Sequence, residues 1–186
     1  MIFGMKNDNF SSGMVKYVGH EIRAVIMNKL EMDVRDTVLL ANAESIAVEA
    51  SMVAYEGVVI AAERDAGSLR TMEENASKFG THNIEIIPEI TVEALEKLPT
   101  PRLAFIVAQK STIENDIVTL LKVNPKIKII IYTLELDILA DIKYLMKKHG
   151  VDVTEVMQIA VSKVDKNGVF VAQPAPWMIT CEVKEK

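Results

Sequence analysis

The sequence is short of the residues from which disulfide bonds and metal sites are built. Of its 186 residues one is cysteine, Cys181, which excludes an internal disulfide bond and a cysteine-based zinc site and fits a reducing cytoplasm. The three histidines, His20, His82 and His149, lie far apart in the sequence and without metal-ligand spacing, so we expect no metal site.

Basic runs and long apolar runs are also absent. The formal net charge is −5, and neither lysine nor arginine forms a run that could follow phosphates, which argues against a general nucleic-acid binder. No apolar stretch approaches the ~20 residues needed to cross a bilayer, and the first ten residues lack the apolar core of a signal peptide. We therefore expect a soluble cytoplasmic protein that binds neither nucleic acid nor a membrane.

Five short apolar runs alternate along the chain with amphipathic segments. The runs predict strands at Thr37–Ala41, Val58–Ala62, Ile84–Ile87, Leu103–Val107 and Ile127–Tyr132. The segments between them carry apolar side chains at helical spacing, as Ile113, Ile117 and Leu120 do after the fourth run. Strands and helices that alternate in this way form a parallel sheet covered on both faces, so the predicted fold class is α/β.

The C-terminal part of the chain has a different pattern. Residues 151–164 are rich in β-branched side chains, Lys166-Asn167-Gly168 is a hairpin-type turn, and residues 177–183 alternate like a final strand. The pattern predicts antiparallel strands at one edge of a mainly parallel, seven-stranded sheet. We predict one domain over residues 20–186, preceded by an N-terminal arm, residues 1–19, whose apolar anchors are Phe3, Phe10 and Tyr17.

Local signals predict where helices begin and end and which way their side chains point. Ser45 is the expected N-cap of a helix over residues 46–54, and Gly80 is the expected C-terminal stop of the next helix. In the first helix Ile22, Val25, Ile26 and Leu30 share the apolar face, and Glu21, Arg23 and Lys29 point elsewhere.

The strand–helix–strand unit from Thr37 to Asp65 carries the candidate site. Folds of this class hold nucleotide-like cofactors at the carboxyl ends of such strands, and Glu63 at the tip of the second strand is placed to accept hydrogen bonds from two ribose hydroxyls. A cofactor lies against bare backbone only where no Cβ intervenes, yet the loop Asn42-Ala-Glu44 contains no glycine. Glu44 has two interpretations: a carboxylate that faces the cofactor, or one stabilised by the dipole of the following helix.

Several segments together resemble one family. They are, in chain order, Glu21-Ile-Arg23-Ala24, Glu56-Gly-Val-Val-Ile-Ala-Ala-Glu-Arg64, Glu73-Glu-Asn75-Ala-Ser-Lys-Phe-Gly80, Asn83-Ile-Glu85, Val92-Glu-Ala-Leu95, and Ala175-Pro176 before the last strand. From about Gly4 to Thr180 the chain is similar to the decarboxylating precorrin methyltransferases of the CbiT type, which act on a corrin precursor in cobalamin synthesis. The resemblance implies a Rossmann-like class I methyltransferase fold and S-adenosylmethionine as the cofactor.

The resemblance also shows where this chain departs from the family. The family has an acid and a run close to Asp-Ile-Gly-x-Gly-x-Gly around the methionine end of the cofactor, where this chain has Leu39-Leu-Ala-Asn-Ala-Glu-Ser45. Near the adenine the family has Gly-Asp-Ala, where this chain has Glu89-Ile90-Thr91. Facing the substrate the family has a glycine- and serine-rich loop, where this chain has Val107-Ala-Gln-Lys-Ser111.

These departures determine what we expect of the site. The cofactor-binding positions implied by the resemblance are Ala41, Asn42, Ala43, Glu44, Glu63 and Ile90. No catalytic residue is implied. We expect S-adenosylmethionine to bind weakly or not at all, because side chains at former glycine positions occupy the volume of the cofactor.

The sequence leaves two functions open. The first is a working precorrin methyltransferase that positions donor and acceptor; Lys110 would contact an acidic group of its tetrapyrrole substrate or be an ordinary exposed lysine. The second is a non-catalytic relative that serves as a scaffold or as the partner of an intact methyltransferase. A nicotinamide-binding enzyme is a distant third, because Gly-x-Gly-x-x-Gly is missing. Enzymes of the resembled family are tetrameric, so we expect a homo-oligomer, most simply a tetramer.

Overall fold

The computed structural model describes residues 5–11 and 18–183, and helices and strands alternate through most of this range. The elements are a 3-10 turn at Asn7–Asn9, α1 His20–Leu30, β1 Thr37–Ala41, α2 Glu44–Val53, β2 Val58–Ala62, α3 Ala66–Phe79, β3 Ile84–Ile87, α4 Val92–Leu95, β4 Leu103–Val107, α5 Ile113–Val123, β5 Lys128–Thr133, α6 Leu136–Lys148, β6 Asp152–Gln158, β7 Ser162–Val164, β8 Phe170–Ala172 and β9 Trp177–Glu182. None of the helices in this described part is long and apolar enough to span a membrane.

Seven strands form one sheet in the order β3-β2-β1-β4-β5-β9-β6. The first five strands in this order run parallel to one another, and β9 lies between β5 and β6 and runs antiparallel to both. The predicted α/β fold, a mainly parallel seven-stranded sheet with antiparallel strands at its C-terminal edge, is therefore confirmed. A second, two-stranded antiparallel sheet pairs β7 with β8 on either side of the predicted turn.

The central strand β1 shows how the sheet divides the core into two layers. Val38 and Leu40 pack with α1, α2 and α3 on one face, whereas Leu39 and Ala41 pack with α4, α5 and α6 on the other. All four side chains are buried. A strand covered on both faces has to be apolar at every position, which is why the sequence shows a continuous apolar run here instead of an alternating one.

Two glycines stand where the backbone requires them. Gly80 ends α3 in the left-handed conformation with a φ of 67°, as predicted from the sequence. Gly57 precedes β2, where a Cβ would lie 2.0 Å from the carbonyl oxygen of Asp36. The backbone that leads into β1 can approach the backbone that leads into β2 only because no side chain intervenes.

The predicted N-cap of α2 is wrong by two residues. The helix begins at Glu44 and its N-cap is Ala43, whose carbonyl oxygen accepts from the N–H groups of Ile46 and Ala47, both at 2.9 Å. Asn42 turns the chain in the left-handed conformation with a φ of 54°, so the helix starts earlier than the serine suggests. Ser45 lies buried in the first turn and makes no capping bond.

Arg23, which the sequence pattern left off the apolar face of α1, is nevertheless buried. Its side chain is fully buried, and its Nε donates to Oε2 of Glu49 on α2 at 2.6 Å. The guanidinium also donates to the carbonyl oxygen of Val18 at 2.9 Å and lies 4.6 Å from the ring centroid of Phe10. Arg23 is covered because α2 and the N-terminal segment pack over the side of α1 that its apolar pattern leaves open.

The N-terminal segment 5–11 lies on the helical layer. Phe10 is buried with its ring centroid 5.1 Å from that of Phe79. The side chain of Asn75 accepts from the N–H of Ser11 at 2.7 Å and donates to its carbonyl oxygen at 3.2 Å. Two other predicted anchors, Phe3 and Tyr17, lie outside the described residues, so the division into an arm and a domain stays a prediction.

Candidate functional site

A cleft of about 310 Å³ opens at the carboxyl ends of the parallel strands. It runs from Ala41 at the end of β1 past Glu63 after β2 and Ile90 after β3, and it is closed by the loop after β4 and the first turn of α5. The order of strands reverses between β1 and β4, and α/β folds bind ligands at such a switch point. The cleft therefore lies where the sequence placed the candidate site.

A second cavity of about 160 Å³ adjoins the cleft. Ala43 and Glu44 line this smaller cavity, and Asn42 and Glu63 line both. All six residues predicted from the sequence thus meet at two neighbouring cavities. Their role in cofactor binding stays a prediction.

Glu63 is held rigidly at the boundary between the two cavities. The residue is 9% exposed, and its Oε1 accepts from the backbone N–H groups of Arg64 at 2.8 Å and of Asp65 at 2.9 Å. No hydrogen bond from the described residues reaches Oε2. A carboxylate oriented by two backbone donors on one oxygen presents the other oxygen as an acceptor, as recognition of a diol requires.

Asn42 crosses the switch point between β1 and β4. Its backbone N–H donates to the carbonyl oxygen of Ala62 at 3.0 Å, and its side-chain Nδ2 donates to the carbonyl oxygen of Val107 at 3.2 Å. Its φ of 54° is a conformation that asparagine tolerates better than most residues. The loop therefore keeps a left-handed turn without glycine, but it also places a side chain across the crevice.

The structure leaves both interpretations of Glu44 open. It lies in the first turn of α2, and its half-buried carboxyl also faces the smaller cavity. Burial raises the pKa of Glu44 to about 7; the charge of Glu63 acts in the same direction, the Ser68 hydroxyl opposes it, and Asp65 adds a smaller increase. The helix dipole favours the charged form, so burial and the neighbouring carboxylates outweigh the dipole here.

We expect Glu44→Gln to stabilise the protein at alkaline pH. The folded state keeps a proton on Glu44 up to about pH 7, whereas the unfolded chain releases it near pH 4.5, so the free energy of unfolding falls between these values as pH rises. After a discount for partial exposure, the variant should gain about 1–2 kcal/mol at pH 8 and little at pH 4.5, measured by urea denaturation. An equal gain at both pH values would contradict this origin of the effect.

Ile90 gives the cleft an apolar wall. The residue is 3% exposed and belongs to the core that β1 shares with α4, α5 and α6. It precedes Thr91, whose hydroxyl oxygen caps α4 by accepting from the N–H of Ala94 at 3.2 Å. The side chain at this position packs and offers no hydrogen bond to a ligand.

Sequence reasoning missed Asp116, which also lines the cleft. Asp116 lies on α5 with its side chain 7% exposed, and burial raises the pKa of its carboxyl. A signal was present, because Asp116 follows Ile113 by three residues and precedes Ile117 by one, so an acid stands on the apolar stripe. At the mouth of the cleft the exposed side chains of Arg64 and Glu89 pair at 3.1 Å.

Lys110 does not line either cavity of the site. Its exposed ammonium pairs with Asp137 at 3.1 Å, and it borders a separate groove between α5 and α6. The described residues contain no group of three or more histidine, cysteine or acidic side chains that could hold a metal ion. Cys181 is buried in β9, and burial raises the pKa of its thiol to about 12.

Comparison with known proteins gives one family match. Residues 13–183 match the sequence profile of the family described as the precorrin methyltransferase domain. No curated protein sequence matches the chain significantly.

Solved structures with the same fold include three proteins whose names refer to precorrin. A precorrin-6Y C5,15-methyltransferase from Geobacter metallireducens GS-15 is 24% identical, with a TM-score of 0.87 over 98% of each chain. A precorrin 8W decarboxylase from Methanobacterium thermoautotrophicum is 20% identical, with a TM-score of 0.79 over 98% of this chain and 100% of that one. The C-terminal domain of a precorrin-6Y C5,15-methyltransferase from Rhodobacter capsulatus is 16% identical, with a TM-score of 0.73 over 97% and 98%. At these identities the structures establish a shared fold, the Rossmann-like methyltransferase fold.

Proposed function

The chain belongs to the precorrin methyltransferase domain family, and on that premise we propose that it is a relative of the cobalamin-biosynthesis methyltransferases whose altered cofactor site binds S-adenosylmethionine weakly. In this proposal the nucleoside half of the site is kept and the methionine half is reduced. The substrate class that family membership suggests is a tetrapyrrole. Methyl transfer to it is weak or lost, because a cofactor held poorly is also positioned poorly.

The observation that carries the proposal is the side chain of Asn42. It bridges from the end of β1 to the carbonyl oxygen of Val107 at the end of β4, and Asn42 lines both the larger cleft and the smaller cavity. A cofactor that spans the crevice has to displace this side chain and break its hydrogen bond. The smaller cavity, about 160 Å³, is also below the ~300 Å³ at which ligand pockets usually begin.

The acidic side chains that line the smaller cavity disfavour binding of the carboxylate group of S-adenosylmethionine. Glu44, Glu63 and Asp65 line it, so a ligand carboxylate that enters meets acids. Among the described residues that line this cavity there is no lysine or arginine to bind that carboxylate. The ammonium and sulfonium groups of S-adenosylmethionine suit the acidic lining, but its carboxylate does not.

The larger cleft supports retention of the nucleoside half. Glu63 presents one free carboxylate oxygen to it, at the strand tip where a ribose diol would be recognised. The volume of about 310 Å³ is in the range of small-molecule sites. We therefore expect adenosine to bind more tightly than S-adenosylmethionine, which reverses the usual order for a methyltransferase.

Titration calorimetry of the purified protein tests the proposal. We expect a dissociation constant for S-adenosylmethionine weaker than about 1 mM, equivalent to less than about 4 kcal/mol of binding free energy, and a tighter constant for adenosine. Glu63→Gln should weaken adenosine binding about tenfold or more, because a charged acceptor is lost. A micromolar constant for S-adenosylmethionine that disappears in Glu63→Ala would show that the glycine-free loop at residues 42–44 is a working variant and that the protein is an ordinary methyltransferase.

A second candidate function is supported by an exposed apolar surface at the β7–β8 hairpin. Val164, Val169, Phe170 and Val171 are each more than half exposed there, and Phe170 is 75% exposed. A two-stranded sheet is only marginally stable alone in water, so contact with another chain would stabilise it. The occupant is a second copy of this chain in a homo-oligomer, most simply a tetramer, or an intact methyltransferase for which this chain is a scaffold.

Light scattering tests self-association at this hairpin. We expect a mass of about 83 kDa, four times the 20.7 kDa of the chain, and a smaller mass for Phe170→Ser. Tyr144→Ser is the matched control, because Tyr144 on α6 is also 75% exposed and lies outside the hairpin. A monomer at micromolar concentration would contradict self-association and leave the hairpin to a different partner.

A further inference from the structure

The larger cleft contains a second buried carboxyl for which the proposed function so far gives no role. Asp116 is 7% exposed on α5, and the hydrogen-bonding neighbour of its carboxyl is Thr112, the N-cap residue of that helix. No other hydrogen bond from the described residues reaches the carboxyl. A buried carboxyl with so few partners has free acceptor capacity, and such groups are usually satisfied by a ligand or by water.

The cleft around Asp116 offers both apolar surface and charged side chains. Ile90, Pro88 and Ala62 line the same cleft and provide apolar surface. The charges that act on Asp116 are those of Arg64, which lowers its pKa, and Glu89, which raises it. These two side chains pair with each other at the mouth, and Arg64 Nε also donates to the carbonyl oxygen of Pro88 at 3.1 Å. Asp116 therefore lies toward the β3 side of the cleft, where Pro88 and Ile90 provide apolar surface beside the Arg64–Glu89 pair.

Two acceptors that share one cleft define the ligand by the donors it must carry. Glu63 Oε2 and the Asp116 carboxylate both accept hydrogen bonds, so the ligand has to carry donors at two places. Adjacent hydroxyls suit Glu63, and an amine on a flat ring that packs against Ile90 and Pro88 suits Asp116. An adenine nucleoside has both, since its base carries an exocyclic amine and its ribose carries two adjacent hydroxyls. A base with a carbonyl oxygen in place of the amine would set oxygen against oxygen at Asp116.

We propose that Asp116 determines the base specificity of the cleft by accepting a hydrogen bond from the exocyclic amine of adenine, while Glu63 accepts from the ribose. This inference rests on the proposed function, because it needs a nucleoside in the cleft. It assigns base specificity to a residue on α5, because Ile90 has an apolar side chain and cannot make this hydrogen bond.

Calorimetry with adenosine, purine riboside and inosine tests the role of Asp116. Purine riboside lacks the amine and inosine has a carbonyl oxygen in its place. We expect adenosine to bind about tenfold more tightly than purine riboside, with inosine weaker still. In Asp116→Leu, which fits the apolar stripe of α5 and should fold, the ratio between adenosine and purine riboside should fall to about one. Glu114→Gln is the matched control, because it removes an exposed carboxylate from the same helix and should leave the ratio unchanged.

The outcomes separate the inference from the proposed function. Glu63→Gln should weaken adenosine and purine riboside by the same factor and preserve their ratio. If purine riboside binds the unmodified protein as tightly as adenosine does, the proposed role of Asp116 is wrong. The proposed nucleoside site still stands in that case if Glu63→Gln weakens the binding of both ligands. If Asp116→Leu weakens all three ligands equally, its role is structural and the inference is also wrong. If adenosine does not bind, the nucleoside site itself is wrong, and with it both proposals.

Discussion

Arg23→Ala should lower the free energy of unfolding by about 3–5 kcal/mol, the range for removing one partner of a buried ion pair. Arg23 is fully buried and Glu49 is 2% exposed, with 2.6 Å between Nε and Oε2. Truncation leaves the Glu49 carboxylate facing a cavity instead of a guanidinium. Urea denaturation measures the effect as a lower midpoint at unchanged slope.

The N-terminal segment should loosen in the same variant. The guanidinium of Arg23 donates to Val18 O, Met5 O and Asn7 Oδ1, and it lies over the ring of Phe10. Hydrogen exchange of residues 5–11 should therefore become faster than in the unmodified protein. Val18 borders the smaller cavity, so this ion pair also supports one wall of the candidate site.

Two controls define what the Arg23 result means. Arg35→Ala removes an arginine whose side chain is 81% exposed and which pairs with Glu56 at 2.8 Å, and it should cost no more than about 0.5 kcal/mol. Replacing both buried partners, in Arg23→Met with Glu49→Leu, should recover much of the loss because no charge then remains buried. A loss in Arg23→Ala no larger than that in Arg35→Ala would show that the buried pair contributes nothing.

The strands were predictable from the sequence because their physical requirement is local. β1, β2, β3 and β4 have the predicted bounds, and each is a short apolar run that ends at a turn or a charged residue. A parallel strand covered on both faces has to be apolar throughout, so consecutive residues of the sequence are enough to predict it. Glu63 was found for the same reason, since it is the first residue after such a run.

The remaining features depend on contacts between residues distant in sequence. Helical periodicity left Arg23 off the apolar face of α1 but could not show that it is buried, because nothing near it indicates that α2 brings Glu49, 26 residues later, to the same place. Asp116 could have been noticed as an acid on an apolar stripe, but the cavity that it lines is built from the loops after β1, β2, β3 and β4. The hydrogen bond from Asn42 to Val107 spans 65 residues, so the loop sequence alone could not show that this side chain crosses the crevice.

Asn42→Gly should increase the affinity for S-adenosylmethionine about 10- to 100-fold, equivalent to about 1.4–2.8 kcal/mol. Glycine removes the side chain that bridges to Val107 and frees its volume at a position that lines both cavities. The backbone has no reason to change, because a φ of 54° is at least as favourable for glycine as for asparagine. Calorimetry with S-adenosylmethionine and with adenosine measures the effect, and adenosine affinity should change little because the nucleoside half is untouched.

Glu31→Gly is the matched control for this substitution. In the described part of the chain Glu31 and Asn42 are the residues other than glycine with a positive φ, and Glu31 lies at the end of α1, outside both cavities. Both variants introduce glycine at a left-handed position, so a general effect of backbone freedom would appear in both. If Asn42→Gly binds S-adenosylmethionine no better than Glu31→Gly does, the asparagine bridge does not limit cofactor binding. The acids of the smaller cavity, Glu44 and Asp65, would then be the remaining cause of weak binding.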